Sequence, residues 1–293
     1  MSAQGGRRGT VVSVVGIVLI ILGVIWSTVI FPMLDKVPTD YGRTYHFDGS
    51  FSVLNATGSM DSFPIEQTLV QKAIGTKDGA ILIDEKRTVG NVTNPANPID
   101  ISARYGDASV LAVDRHTLQF VPALDVRQRT GQWGPPRGLG EGDTFDLYNP
   151  GVNKPLTARY VKDDVFRGIK VVIFKIEETN IPIGTNPQTG APLFLSTTIN
   201  QTIDPRSGVV VNNTSVTTTS MDVGGGNKIP VQISNVNYAE STIVDLMDVA
   251  RDADSMLLWL ETVIPWVLGG VGAILVLIGL MLMSRKRGAA ATA

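Results

Sequence analysis

Thr242-Ile-Val-Asp-Leu-Met-Asp-Val-Ala-Arg-Asp-Ala-Asp-Ser-Met-Leu-Leu-Trp-Leu-Glu261, running on into the uncharged segment Thr262–Ser284, decides how the chain is organised. Thr242 and Asp245 form a capping-box-like start, in which a hydroxyl holds orphan amides and an acid follows three residues later. Ile243, Leu246, Met247, Ala250, Ala253, Leu257 and Leu260 recur with the helical period and make one apolar face. Asp245, Asp248, Asp252 and Ser255 lie on the other side and need water. The next 23 residues carry no charge, enough to cross a hydrocarbon layer of roughly 30 Å at ~1.5 Å per residue. Arg285, Lys286 and Arg287 stop the span, and Pro265 near its other end is a kink site. Such a helix reads either as a lever joining an outer domain to a membrane or as a plain anchor whose first turns cover the domain core.

A second apolar run, Gly9–Leu34, is also uncharged and follows Arg7 and Arg8. A cleaved signal peptide has a shorter apolar core, ~7–15 residues, and a small-residue cleavage site. Phe31-Pro-Met-Leu34 is not such a site, so a retained anchor is expected. Positive charge flanks the first span on its N-terminal side and the second on its C-terminal side, which predicts both termini in the cytoplasm and residues 35–261 outside it. Both spans carry glycines seven apart, Gly16 and Gly23 in one, Gly272 and Gly279 in the other, and Gly269 with Ala273 adds a small-xxx-small step. Small residues let helix backbones approach closely in lipid. Packing of the two spans on each other is the expected use, and homo-oligomerisation is the rival.

About 226 residues lie between the spans, room for one large domain or two small ones. All 27 acidic residues and 20 of the 25 basic ones fall there, a net charge of −7. That sign gives no electrostatic footprint for nucleic acid. There is no cysteine, hence no disulfide framework and no thiolate metal site. Arg43–Val53 alternates, with Tyr45, Phe47, Phe51 and Val53 on one face. Further strands are predicted at Ile65–Ile74, Ala80–Val89, Val110–Val113, Thr117–Val121, Leu156–Lys162, Ile169–Glu177, Leu193–Gln201, Val209–Ser220 and Ile229–Tyr238. Their short spacing favours antiparallel meanders. Asp114-Arg-His-Thr117, Asn186-Pro-Gln-Thr-Gly190 and Asp204-Pro-Arg-Ser-Gly208 read as hairpin turns, since they lack the alternating acids of a calcium loop. Gln132–Gly142 is a Gly/Pro loop around Trp133, a residue that either touches a ligand or covers the edge of the core.

No reaction chemistry is spelled out, and no catalytic, cofactor-binding or metal-ligating residue is assigned. His46 and His116 stand alone, outside any metal-protease spacing. There is no nucleophile elbow. Gly224-Gly-Gly226-Asn-Lys228 lacks the phosphate-loop spacing. Asp163-Asp164 and Glu177-Glu178 are adjacent pairs that a strand would point to opposite faces. The expectation is therefore a protein that is not an enzyme.

Several signatures together carry a resemblance. The N-terminal anchor ends in Phe31-Pro32. Val113-Asp-Arg-His-Thr117 follows a strand. Gly138-Leu-Gly-Glu-Gly-Asp-Thr-Phe145 leads to Tyr148-Asn-Pro-Gly151 and Ala158-Arg-Tyr-Val161, then Gly168-Ile-Lys-Val-Val-Ile-Phe174 and the Asp-rich terminal helix. This resembles the actinobacterial PorA-type porin family over nearly the whole chain, and the layout is also similar to that of class B scavenger receptors. The resemblance implies a cell-envelope protein that binds or passes lipids or small solutes. The resulting expectation is an α+β membrane protein: a cytoplasmic tail (residues 1–9), a first transmembrane helix (10–34), a mainly antiparallel β-rich extracytoplasmic domain (35–241), an amphipathic helix (242–261), a second transmembrane helix (262–284) and a cytoplasmic tail (285–293), placed in the inner membrane. The alternative is a cell-surface interaction or structural module without transport.

Overall fold

The computed structural model describes residues 3–94 and 109–290. They form two compact units, one of residues 1–36 with 253–293, the other of residues 37–252.

The first unit contains the apolar helices. Helix α1 (Ala3–Ile25) passes through a π-helical turn, Trp26–Ile30, into α2 (Phe31–Leu34). The chain returns here from α3 (Glu240–Leu258), passes through a second π-helical turn, Trp259–Val263, and ends in α4 (Ile264–Ala290). Helix α1 lies along α4 with backbones in close approach. A Cβ on Gly16 would sit 2.5 Å from the Gly272 carbonyl oxygen, and one on Gly272 would sit 2.6 Å from the Gly16 oxygen. Gly9 and Gly279 face each other in the same way, while Gly23 lies against the Pro265 carbonyl and the Gly269 amide. The Cβ position of Gly269 itself is open. The two π-turns also meet, because Trp26 Nε1 donates to the Leu260 carbonyl at 2.8 Å. A π-turn displaces backbone carbonyls from their regular partners, and an indole N–H is a donor that can satisfy one in apolar surroundings. Both runs are long and apolar enough to cross a membrane.

The second unit is a ten-stranded antiparallel sheet. Its strands are β1 (Gly42–Leu54), β2 (Met60–Lys77), β3 (Ala80–Asn91), β4 (Ser109–Asp114), β5 (Thr144–Asn149), β6 (Lys154–Phe166), β7 (Ile169–Thr185), β8 (Pro192–Ile203), β9 (Val210–Asp222) and β10 (Lys228–Tyr238). They are ordered β4-β3-β2-β1-β10-β9-β8-β7-β6-β5. Short bridges then join the edge strands: Val113 pairs with Phe120, Gln119 with Gln132, and Gln132 with Leu147. The ladder thus runs from β4 through these segments to β5, and the sheet closes into a barrel. Closure removes the exposed edges that an open sheet would present.

Most predicted strands are present but longer. Thr117–Val121 is not a strand; it contributes only bridges, because Leu118 takes φ +58 and breaks the pleat. Thr144–Asn149 pairs with β6 although its mixed composition gives no strand signal. The three Asp/Asn turns form as expected. Asp114 accepts from the amides of His116 and Thr117 and from the Thr117 hydroxyl, Asn186 from the amides of Gln188 and Thr189, and Asp204 from the amide and hydroxyl of Ser207.

Phe145, Phe174, Ile176, Leu195 and Ile203 pack together inside one side of the barrel, and Ile81, Ile83, Leu111, Val113 and Phe120 inside another. Ile243, Met247 and Ala250, on one stripe of α3, pack on Val171 and Val211. This helix starts at Glu240, so Thr242 is inside its first turn and does not cap it. Its hydroxyl instead accepts from the His46 amide at 2.7 Å and donates to the His46 carbonyl at 3.0 Å, tying the helix to β1. The outward faces of the strands carry exposed Asp48, Glu66, Lys72, Asp84 and Lys86.

Candidate functional site

The two packed clusters do not fill the barrel. Between them lies a cavity of about 490 Å³, within the range of ~300–1,000 Å³ usual for small-molecule sites. Larger closed barrels characteristically enclose such space.

One wall is a patch of β1, β2 and β3. The register places Arg43 opposite Gln71 and Gln71 opposite Glu85; one step along, Tyr45 faces Leu69 and Leu69 faces Arg87. The period-two alternation of strands puts all six side chains on the inner face, and all six line the cavity. Tyr238 of β10 continues the patch, its ring stacked on Tyr45 at 6.0 Å and tilted against Phe47 at 5.1 Å. The Tyr41 hydroxyl meets that of Tyr45 at 3.0 Å and donates to Gln71 Oε1 at 3.1 Å, while Gln71 Nε2 donates to Glu85 at 2.6 Å. Burial raises the phenol pKa of Tyr41, Tyr45 and Tyr238, so all three stay neutral donors.

The opposite wall comes from the segments that close the barrel. Trp133 lines the cavity and packs edge-on against Tyr41 at 5.1 Å. It therefore covers core and faces the cavity at once. Leu118, Leu147 and Tyr148 extend this wall, and Leu246 and Val249 of α3 add apolar surface. Behind it, Arg129 forms a fully buried pair with Asp125, donating to both carboxylate oxygens at 2.9 Å, and donates to Ser109 at 2.7 Å. Asp125 also accepts from the Arg127 amide at 2.8 Å. The pair satisfies its own hydrogen bonds and fixes the loop that carries Arg127 to the cavity. Gln201 of β8, only 8% exposed, lines the same space, and its Oε1 is buried without a hydrogen-bond partner among the described residues.

Among residues singled out by sequence, Trp133 is brought to the cavity. The five glycines belong to the helical unit, as do Arg7 and Arg8; the side chains of Arg285, Lys286 and Arg287 lie outside the described residues. His46 and His116 are exposed and stand apart from it. No cluster of three or more metal-ligating side chains occurs among the described residues. The inward Arg43, Arg87, Tyr238 and Gln201 were missed. The signal for Arg43 was its parity with Tyr45 and Phe47 on a strand whose inner face was already read; for the others, an inward polar residue on a closed sheet has no linear signature.

One chain thus combines a closed barrel that holds a mixed polar and apolar cavity with two long apolar helices. The chain belongs to the porin PorA family, whose model matches residues 8–281. No curated protein matches it. Among solved structures it is similar to Rv2717c from M. tuberculosis, at 11% identity and a TM-score of 0.27, covering 67% of this chain and 92% of that one.

Proposed function

We propose that this is a two-span protein of the inner membrane whose barrel domain faces away from the cytoplasm and binds or passes lipids or small solutes. The cavity carries this reading: an amphipathic space of about 490 Å³ inside a barrel of the porin PorA family. The barrel is not suited to cross lipid with its strands. Membrane barrels need an apolar outer band, and here Glu66, Lys72, Asp84 and Lys86 occupy the outer face. The helices α1 and α4 are the anchors.

Native mass spectrometry of the purified full-length chain tests the binding claim. A mass excess of one lipid, lost on delipidation, is the expected result; a chain that never carries or takes up lipid favours the partner-docking alternative. The chain has no cysteine, so Ala3→Cys and Val126→Cys report topology without background. Val126, 79% exposed on the barrel unit, should label with a membrane-impermeant maleimide in intact cells, and Ala3→Cys only after permeabilisation. The reverse pattern would overturn the orientation.

A further inference from the structure

Among the described residues, Arg43, Arg87, Arg127 and Arg129 line the cavity together with the carboxylate of Glu85. Arg129 is neutralised by Asp125, and Glu85 is held by Gln71. Arg43 has no carboxylate within ion-pair distance among the described residues. Glu85 lies two strands away across Gln71, a separation of ~10 Å at strand spacing. Arg43 is half-buried, and a guanidinium partly withdrawn from water without a counter-ion favours an anionic ligand.

One more group points to a polar ligand. Tyr238 has no hydrogen bond to a described residue, lines the same cavity as Arg43, and stacks its ring on Tyr45, the next residue after Arg43 on the inner face of β1. The remaining surface, from Leu118, Leu147, Val209, Val210, Leu246 and Val249, is apolar. The volume suits one drug-sized ligand, a single chain rather than the two of a phospholipid.

We infer that the cavity takes a fatty acid, with its carboxylate against Arg43 and Tyr238 and its chain along the apolar wall. This rests on the lipid-binding reading and narrows it to a singly charged anionic head.

The test compares equilibrium binding of radiolabelled palmitate and hexadecanol, which share a chain and differ in the head, to the full-length protein in non-ionic detergent. Palmitate should bind at least roughly ten-fold more tightly, the scale of one charge-assisted hydrogen bond. Arg43→Gln should remove that preference, while Arg43→Lys, which keeps the charge, retains one. Equal binding of the two ligands to the wild-type protein overturns the anionic-head assignment, as does a palmitate preference that survives in a folded Arg43→Gln protein; either outcome leaves the lipid-binding cavity standing. Binding of neither ligand overturns the lipid reading along with it.

Discussion

Thr242 shows how one side chain can join two elements. Its hydroxyl accepts from the His46 amide and donates to the His46 carbonyl, at the point where β1 runs past the end of its pairing with β10 at Phe47 and Tyr238. Thr242→Val keeps the shape and removes both bonds. The unpaired amide should cost about 1–3 kcal/mol of unfolding free energy, read by urea denaturation, and Thr242→Ser should restore most of it. An unchanged midpoint for the valine variant would show that water replaces the bonds. The sequence signal at this residue was a hydroxyl three positions before an acid, which predicts a cap. The helix instead begins two residues earlier, at Glu240, and the hydroxyl serves a strand almost 200 residues away. No local pattern encodes such a partner. The hairpin residues Asp114, Asn186 and Asp204 were legible because their partners are the next few amides.

At the scale of elements, α1 and α4 associate through glycine rather than through large side chains. Without a hydrophobic force between helices in lipid, close backbone approach supplies the attraction. A side chain on Gly16 meets the Gly272 carbonyl at its first carbon. Thr10 and Met283 are neighbours across the two helices, with Oγ1 and Sδ 3.6 Å apart. Thr10→Cys with Met283→Cys should be joined by a short bifunctional thiol crosslinker, and adding Gly16→Leu should abolish the crosslink. Equal crosslinking in both backgrounds would show that the glycine contact does not hold the helices together. The glycine spacing of each helix was visible in sequence, and so were most strands, because alternation with Val, Ile and Thr is a local signal. Strand β5, Thr-Phe-Asp-Leu-Tyr-Asn, was not, since only its pairing with β6 holds it extended.

For the whole chain, the sequence disclosed two apolar helices around a β-rich middle, and the order of parts along the chain sufficed for that. It did not disclose that the middle closes on itself. Closure depends on isolated bridges among Val113, Phe120, Gln119, Gln132 and Leu147, and no local pattern says that the run around Phe120 and the Gly- and Pro-rich loop at Gln132 join β4 to β5. The cavity follows from closure, and so does the inward place of Arg43, Gln201 and Tyr238, which come from three separate strands. The central claim is that this interior holds a lipid. Its most direct test is lipid uptake by the Val249→Trp protein, in which an indole placed on the cavity-facing side of α3 occupies the space. Loss of bound lipid in native mass spectra, with an unchanged melting temperature and with Val249→Ala behaving like the wild type, is the predicted result. Full lipid occupancy in the folded Val249→Trp protein would contradict it and place the lipid elsewhere on the chain.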